Sequence, residues 1–161
     1  SKKKSFVPGV KIVRGAYMEK ERSRAKKLGY EDPICMNKIE TDRNFNGALK
    51  FLVKNLNYFS FIMGTHNEES SSLLMDLMIK NKIQSNNKHI WFAQLYGMSD
   101  QISFNIANLG YNVCKLLPYG PVKEVLPYLI RRAEENSSIR GQSSRELALI
   151  KKEFKRRKIN S

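Results

Sequence analysis

At 161 residues, 41% of them hydrophobic, the chain is long enough to bury one core, and its composition does not suggest disorder. No stretch approaches the roughly 18 consecutive apolar residues of a membrane-spanning helix, and the opening "SKKKSF" lacks the apolar run of a signal peptide, so we expect a soluble chain. The net charge of +14 keeps nucleic acid and anionic membrane surfaces among the candidate partners.

Four short apolar runs are each followed by a polar or small-residue corner and then by a segment of helical period: "VKIVRGAY", "FSFIMGTHN", "HIWFAQLYGM" and "NVCKLLPYG". This alternation is typical of β-α units that build a parallel sheet. The runs begin at Val10, Phe59, His89 and Asn112, and each is nearly continuous in apolar character. We therefore expect strands that are covered on both faces.

The helical segments lie between these runs. "MEKERSRAKKLG", residues 18–29, ends at a glycine that is typical of a helix C-cap. "TDRNFNGALKFLVKNL", residues 41–56, opens with Thr41 and Asp42, and its apolar residues recur at helical spacing. Three further helices are predicted in "NEESSSLLMDLMIKN", "SDQISFNIANLG" and "PVKEVLPYLIRRAEEN".

Four β-α units amount to half of a (β/α)8 barrel, which typically needs about 250 residues. A sheet of four strands cannot close into a barrel. Within the α/β class, the pattern allows an open doubly wound sheet or the second half of a longer chain, and a lysine run followed at once by a strand favours the second.

The end of the chain is strongly basic. "RELALIKKEFKRRK", residues 145–158, holds seven basic and two acidic residues, a net of five of the fourteen charges. We predict two domains, 1–142 and a basic C-terminal helix or tail over 143–161, in which Leu147, Ile150 and Phe154 form a packing stripe. A functional basic surface is the alternative.

Polar and small residues collect where the predicted strands end. In parallel sheets, ligands and chemistry lie at the carboxyl ends of the strands. Lys11 and Arg14 are three positions apart on the first strand, so strand alternation directs their side chains to opposite faces. Asp100 is expected in the first turn of a helix, where the helix dipole stabilises a negative charge. The other residues at these ends are Gly15, Ala16, Tyr17, Thr65, His66, Asn67, Gln94, Leu95, Tyr96, Gly97, Pro118, Tyr119 and Gly120.

His66 is one of two histidines and lies between Thr65 and Asn67. The triplet suggests a hydrogen-bonding corner for a polar ring or a phosphate, although a structural histidine is the alternative. No other His, Cys or carboxylate lies at metal-ligand spacing from it, so no metal site is predicted. Cys35 and Cys114 have no CxxC spacing, which indicates neither zinc nor a disulfide and favours a reducing compartment.

Two adjacent arginines, Arg131 and Arg132, stand in an amphipathic helical pattern. Adjacent helical positions diverge by about 100°, so both side chains cannot follow a single solvent-facing stripe. If the helix folds back towards the strand ends, the pair could hold a ligand carboxylate, with Glu134 and Glu135 supporting the two side chains. Exposed ion pairs three residues apart are the alternative.

Together, "KIVRGAYMEKER", "THN", "FAQLYGMSDQIS" and "LPYGPVKEVLPYLIRRAEEN" resemble the catalytic domain of the proline dehydrogenase family, from about Val10 to Gly141. The resemblance implies the second half of a distorted (β/α)8 TIM-type barrel, strands five to eight and the final helix. It also implies FAD-dependent oxidation of L-proline to 1-pyrroline-5-carboxylate, with hydride transfer from C5 to the flavin N5. The first half of the barrel would be missing, so we expect the chain alone to be inactive.

The resemblance also assigns cofactor residues. Lys11 matches the catalytic position near the flavin N5. Arg14, Gly15 and Ala16 match the segment beside the flavin, and the positions 65–67, Thr65, His66 and Asn67, match residues at the FAD.

Substrate residues follow in the same way. Tyr17 and Leu95 match residues near the substrate pocket, Arg131 and Arg132 match the pair that holds the proline carboxylate, and Glu135 matches a supporting residue. Leu116 occupies a position ahead of "PYG" where the family often has tyrosine, so it bears on the choice between proline and hydroxyproline.

The partners that the resemblance implies are L-proline or a close analogue, a quinone-type electron acceptor, the missing N-terminal half and a peripheral membrane contact. It does not imply nucleic acid. The expected location is cytoplasmic or at the inner membrane in a bacterium, or mitochondrial in a eukaryote. The alternatives are a hydroxyproline-type dehydrogenase, a basic module that binds nucleic acid or an anionic surface, and a phosphate-binding barrel enzyme without flavin.

Overall fold

The computed structural model describes residues 6–15, 17–138, 147–149, 151–152 and 154–155. The chain divides into two compact units, Ser1–Leu116 and Leu117–Ser161. The predicted boundary between residues 142 and 143 lies outside the described residues and stays a prediction. No helix in the described ranges is long and apolar enough to cross a membrane.

The first unit contains three β-α units, the first of them with two helices, and a fourth strand. Its elements are β1 (Gly9–Ile12), α1 (Met18–Leu28), α2 (Lys38–Lys54), β2 (Ser60–Gly64), α3 (Glu68–Lys80), β3 (Ile90–Leu95), α4 (Asp100–Asn108) and β4 (Val113–Leu116). The strands form one parallel sheet in the order β1-β2-β3-β4. The predicted α/β class and the parallel pairing are confirmed, and the arrangement is that of part of a (β/α)8 barrel.

The core lies between the sheet and the helices α2, α3 and α4. Phe61, Met63, Ile90 and Phe92 alternate along β2 and β3, and each is at most 1% exposed. They pack with apolar side chains of the three helices, which include Phe45, Leu49, Leu74, Met78, Ile102 and Ile106. We call this side of the sheet the helix-packed face.

The other side of the sheet differs from the prediction. Lys11 on β1 pairs with Ile62, which pairs with Trp91, and Leu95 pairs with Leu116. We call the side that carries these five residues the opposite face. Trp91 is 38% exposed and Lys11 is exposed, so the expectation that both faces are covered is wrong for the described part of the chain. A continuous apolar run does not reveal which face meets helices, because it places apolar side chains on both.

The ends of the helices follow local chemistry. As predicted, α1 is followed by Gly29, whose φ of 71° is in the left-handed region and whose N–H donates to the Ala25 carbonyl. The predicted start of α2 at Thr41 is wrong, because the helix begins at Lys38. Asn37 is the N-cap, and its side chain accepts the Glu40 N–H at 2.9 Å.

The second unit contains α5 (Val122–Ser138), which includes the predicted helix. Residues 147–149, 151–152 and 154–155 are also helical. Leu147 is 52% exposed and Phe154 is 65% exposed, so these two members of the predicted packing stripe are not buried. Ile150 lies outside the described residues.

Candidate active site

Lys11 lies on the opposite face of β1, the first edge strand. Gly64 lies on β2 two residues beyond Ile62, the ladder partner of Lys11, and a Cβ built on it would come within 3.6 Å of the Lys11 Cε and 2.9 Å of a Val13 methyl group. Glycine at position 64 therefore leaves room for both side chains. Burial raises the pKa of the Cys114 thiol on β4, and the positive charge of Lys11 partly opposes that rise.

Arg14 follows β1 and turns to the helix-packed side, opposite to Lys11, as strand alternation predicts. Its Nε donates to Asp42 Oδ1 at 2.7 Å, Nη1 donates to Thr65 Oγ1 at 2.8 Å, and Nη2 donates to Ser70 Oγ at 2.7 Å. Its guanidinium carbon lies 3.8 Å from the centroid of the Phe45 ring. Arg14 therefore contacts α2, α3 and the end of β2 at once.

The corner after β1 turns sharply. Gly15 has a φ of 70°, and Tyr17, which caps α1, has a φ of 55°. Tyr17 has no side-chain capping bond, and its side chain is 76% exposed, so it is available to a ligand or a covering segment. Ala16 lies outside the described residues.

The triplet after β2 makes hydrogen bonds within the protein, and its predicted role as a corner for a polar ring or a phosphate stays a prediction. Thr65 is 8% exposed, and its Oγ1 also accepts the backbone N–H of Asn67 at 3.1 Å. Asn67 is the N-cap of α3, where its side chain accepts the Ser70 N–H at 2.8 Å. His66 Nδ1 lies 2.9 Å from the hydroxyl of Ser99, which precedes α4. Thr65, His66 and Asn67 therefore all lie at the carboxyl end of β2, in the turn that leads to α3.

Two polar residues of this region, Gln94 and Lys115, are given no specific role by the sequence. Gln94 is 1% exposed on the helix-packed side of β3; its Nε2 donates to the Thr65 carbonyl, and its Oε1 accepts from Ser103. Lys115 on β4 donates to the Met98 carbonyl and pairs with Asp100, each at 2.7 Å. The sequence does hold a signal for both residues. Gln94 follows Phe92 by two positions and Lys115 follows Val113 by two positions, so strand alternation places each polar side chain on the face that packs against helices.

The sequence pattern predicts for Asp42 only a position at the start of a helix. In the structure Asp42 lies one turn inside α2, where its carboxylate forms ion pairs with Arg14 and Lys38. The hydrogen bond from Lys38, together with the attraction of both cations, lowers the pKa of the Asp42 carboxyl below its ordinary value despite some desolvation. Burial lowers the pKa of Arg14, an effect that Asp42 opposes.

The predicted substrate residues divide between the two units. Leu95 and Leu116 are directly paired on the opposite face at the carboxyl ends of β3 and β4, and both are partly buried. Arg131, Arg132 and Glu135 belong to α5, and their side chains lie outside the described part of the structure. The structure therefore places Lys11 and the two leucines on the same face of one sheet, with Lys11 on β1 and the leucines on β3 and β4, while the arginine pair stays a prediction.

Comparison with known proteins decides the family. The family model described as "Proline dehydrogenase" matches residues 1–145 of the chain.

The chain belongs to the proline dehydrogenase family.

Two similar proteins come from animals. The chain is 44% identical over 154 residues to "Proline dehydrogenase 1, mitochondrial" of Caenorhabditis elegans, covering 92% of this chain and 25% of that protein. It is 42% identical over 156 residues to "Hydroxyproline dehydrogenase" of Xenopus laevis, covering 94% of this chain and 34% of that protein. The chain thus spans about a quarter to a third of these curated relatives.

A solved structure supports the fold of the chain. Proline utilization A (PutA) from Bdellovibrio bacteriovorus, crystallised after inactivation by N-propargylglycine, matches with a TM-score of 0.71 and 30% sequence identity. The match covers 83% of this chain and 14% of that one. The predicted α/β class, with four β-α units of a barrel, is therefore confirmed.

Proposed function

We propose that the chain forms part of an FAD-dependent enzyme that oxidises L-proline to 1-pyrroline-5-carboxylate. The proposal is supported by one observation: in a chain of the proline dehydrogenase family, Lys11, Leu95 and Leu116 all lie on the opposite face of the sheet. A cation on β1 and an apolar pair on β3 and β4 suit a ligand with a polar edge and an apolar ring.

The donors at the strand ends suit a flavin. Lys11 offers an ammonium group, the Thr65 hydroxyl lies at the second corner, and Gly15 at the first corner carries no side chain. Flavin rings and phosphates carry acceptors for such donors. FAD, when bound, would supply the acceptor for the hydride from C5 of the substrate. The residues of this chain would hold and orient the reactants, and Lys11 would supply positive charge near the flavin.

Leu95 and Leu116 would form one wall of the substrate pocket. Their apolar side chains would stabilise an unsubstituted ring and would themselves offer no hydrogen bond to a ring hydroxyl, which favours proline over hydroxyproline. The likeness to the Xenopus laevis hydroxyproline dehydrogenase keeps the second substrate as the alternative to be tested.

Arg131 and Arg132 would bind the substrate carboxylate, with Glu135 as their support. Bidentate contacts between a guanidinium and a carboxylate are strong and directional, so they would fix C5 relative to the flavin. We expect removal of either arginine to raise the KM for the substrate about 100-fold, because losing one partner of a buried charge pair costs about 2–5 kcal/mol.

The chain would act together with further β-α units. The described part of the chain forms a sheet of four strands, whereas a closed barrel of this class has eight. We propose that an N-terminal half-barrel covers the opposite face and completes the flavin site. We call the two halves together the assembled protein. A quinone-type acceptor, a peripheral membrane contact and a mitochondrial location, the last named for the C. elegans relative, belong to the same proposal.

The test is the absorption spectrum of the assembled protein, titrated with FAD and then with L-proline under anaerobic conditions. We expect bound flavin to bleach with L-proline, and bleaching to require much more proline in Arg131→Ala and Arg132→Ala, while Arg22→Ala, a change in an exposed ion pair of α1, leaves it unaltered. Bleaching by hydroxyproline alone would favour the alternative substrate. Failure of a folded assembled protein to bind flavin would refute the proposal.

A further inference from the structure

Arg14 connects segments that are far apart in the chain. Its three hydrogen bonds span 28, 51 and 56 positions and reach α2, the end of β2 and the first turn of α3. The same guanidinium lies against the Phe45 ring. Arginine suits this position because its planar group offers five donors in a fixed geometry and stacks on aromatic faces.

Thr65 is the contact that bears on the site. A hydroxyl group has two acceptor lone pairs and one donor hydrogen. Arg14 Nη1 and the Asn67 N–H occupy both acceptor positions of Thr65 Oγ1, at 2.8 and 3.1 Å. The hydrogen is then left as the donor of a side chain that is 8% exposed, and none of the described residues accepts it.

The position of Arg14 is itself determined by its surroundings. Asp42 on α2 accepts a hydrogen bond from the Arg14 Nε. The Ser70 hydroxyl accepts from the Arg14 Nη2 and donates to the Asn46 side chain at 2.8 Å. The Arg14 and Asp42 side chains are only 21% and 24% exposed. A partly buried charge with three hydrogen-bond partners has little freedom to move.

We propose that Arg14 is a positioning residue that acts through Thr65: it fixes the Thr65 hydroxyl as a hydrogen-bond donor to the flavin and holds the β1 corner against the β2 corner. The inference rests on the proposed function, because the acceptor that it names is the flavin. It gives Arg14 a task on the protein side of the site, next to the strand that carries Lys11.

The first test is a mutant cycle on FAD affinity in the assembled protein, with Arg14→Gln, Thr65→Val and the double variant. We expect each single change to raise Kd about tenfold, the size of a lost hydrogen bond of this kind. Because Arg14 acts through the hydroxyl, the double variant should bind about as weakly as Thr65→Val alone. Thr65→Ser should restore most of the affinity. Independent effects that multiply to about 100-fold, or a Thr65→Ser variant as weak as Thr65→Val, would overturn the proposal.

Two further variants test whether the loss of affinity is specific to the contacts of Arg14 or is a general effect of removing a charge. Asp42→Asn keeps an acceptor for Arg14 Nε but removes its charge, so it should weaken FAD binding in the same direction and by less than Arg14→Gln. Arg22→Gln makes the matched change in the exposed pair with Asp32, whose atoms lie 3.4 Å apart, and it should leave the affinity unchanged. Equal weakening by Arg22→Gln would show a general charge effect and refute the specific role.

The second test needs no flavin. Amide hydrogen exchange at Asn67 reports the bond to Thr65 Oγ1, and exchange at Ser70 reports the adjacent cap. We expect Arg14→Gln, but not Arg22→Gln, to accelerate exchange at both amides in the flavin-free protein. Unchanged exchange would overturn the positioning role. If the wild-type protein binds no FAD, the proposed function and the donor role both fail, while the exchange result still decides whether Arg14 holds the corner.

Discussion

Leu95 and Leu116 are paired residues at the carboxyl ends of two neighbouring parallel strands. A change at either position therefore alters one apolar surface shared by both. Because Leu117 is the next residue along the chain and is 66% exposed, it offers a matched leucine beyond the strand.

Replacing Leu116 with serine should alter substrate choice in the assembled protein. The change removes apolar contact area and adds a hydroxyl, so we expect KM for L-proline to rise about tenfold and the preference for proline over hydroxyproline to fall by a similar factor. Steady-state kinetics with both substrates measures the change. Leu117→Ser should leave both values near those of the wild type; equal effects of the two variants would contradict a wall formed by Leu95 and Leu116.

Two glycine-to-alanine changes should have opposite effects on stability. At Gly64 the new Cβ would lie 2.9 Å from the Val13 methyl group, so we expect a loss of about 1–3 kcal/mol in the free energy of unfolding. At Gly47, inside α2, the new Cβ meets nothing within 4 Å, and alanine should add about 1 kcal/mol through its helix propensity. Chemical unfolding followed by circular dichroism measures both changes. Stabilisation by Gly64→Ala would show that the β1–β2 ladder has space that the structure does not show.

Asp42 should make stability depend on acid pH. Its pKa is lowered on folding, chiefly by the Lys38 hydrogen bond, so its contribution is fully present above the unfolded value of about 4 and is lost as the pH falls through the lower folded value. We expect Asp42→Asn to be less stable than the wild type at pH 7 and to lose less stability between pH 5 and pH 3. Thermal unfolding across that range measures the difference, with Asp32→Asn as the exposed control. Parallel curves for Asp42→Asn and the wild type would contradict the shift.

Lys115 should contribute more to stability than its ion-pair partner. Asp100 is 58% exposed, so the pair itself is worth little, whereas the 2.7 Å bond to the Met98 carbonyl satisfies a backbone group of the loop after β3. We expect Lys115→Met to cost about 1–2 kcal/mol and Asp100→Asn about 0.5 kcal/mol. Urea unfolding of the two variants gives the comparison. A larger loss for Asp100→Asn would mean that the charge pair dominates.

Alkylation of Cys114 should report on Lys11. The Lys11 charge lowers the pKa of the Cys114 thiol, which burial raises, and the thiolate is the reactive form. Lys11→Met should therefore slow modification of Cys114 by iodoacetamide at pH 8, with Lys20→Met on α1 as the control. Mass spectrometry of the modified peptide gives the rate. An unchanged rate would place Lys11 too far from Cys114 to influence it.

Local patterns predicted the strands, the C-cap at Gly29 and the helical segments, because these features depend on neighbouring residues. The start of α2 was missed because Asn37 caps it ahead of the apolar pattern. The partners of Arg14 could not be found from the sequence, since they lie 28 to 56 positions away and depend on how helices pack on the sheet. Strand alternation did place Lys11 and Arg14 on opposite sides. The roles of Arg131 and Arg132 came from the family resemblance and from no local pattern.

The strands occur in the sheet in the same order as in the chain, and each pairs in parallel with the one before it. During synthesis, every new strand can therefore join an edge that already exists, without waiting for a distant segment or displacing an earlier strand. Adding a strand in this order leaves every existing strand pair unchanged, and each added strand presents the next one with a free edge to pair with.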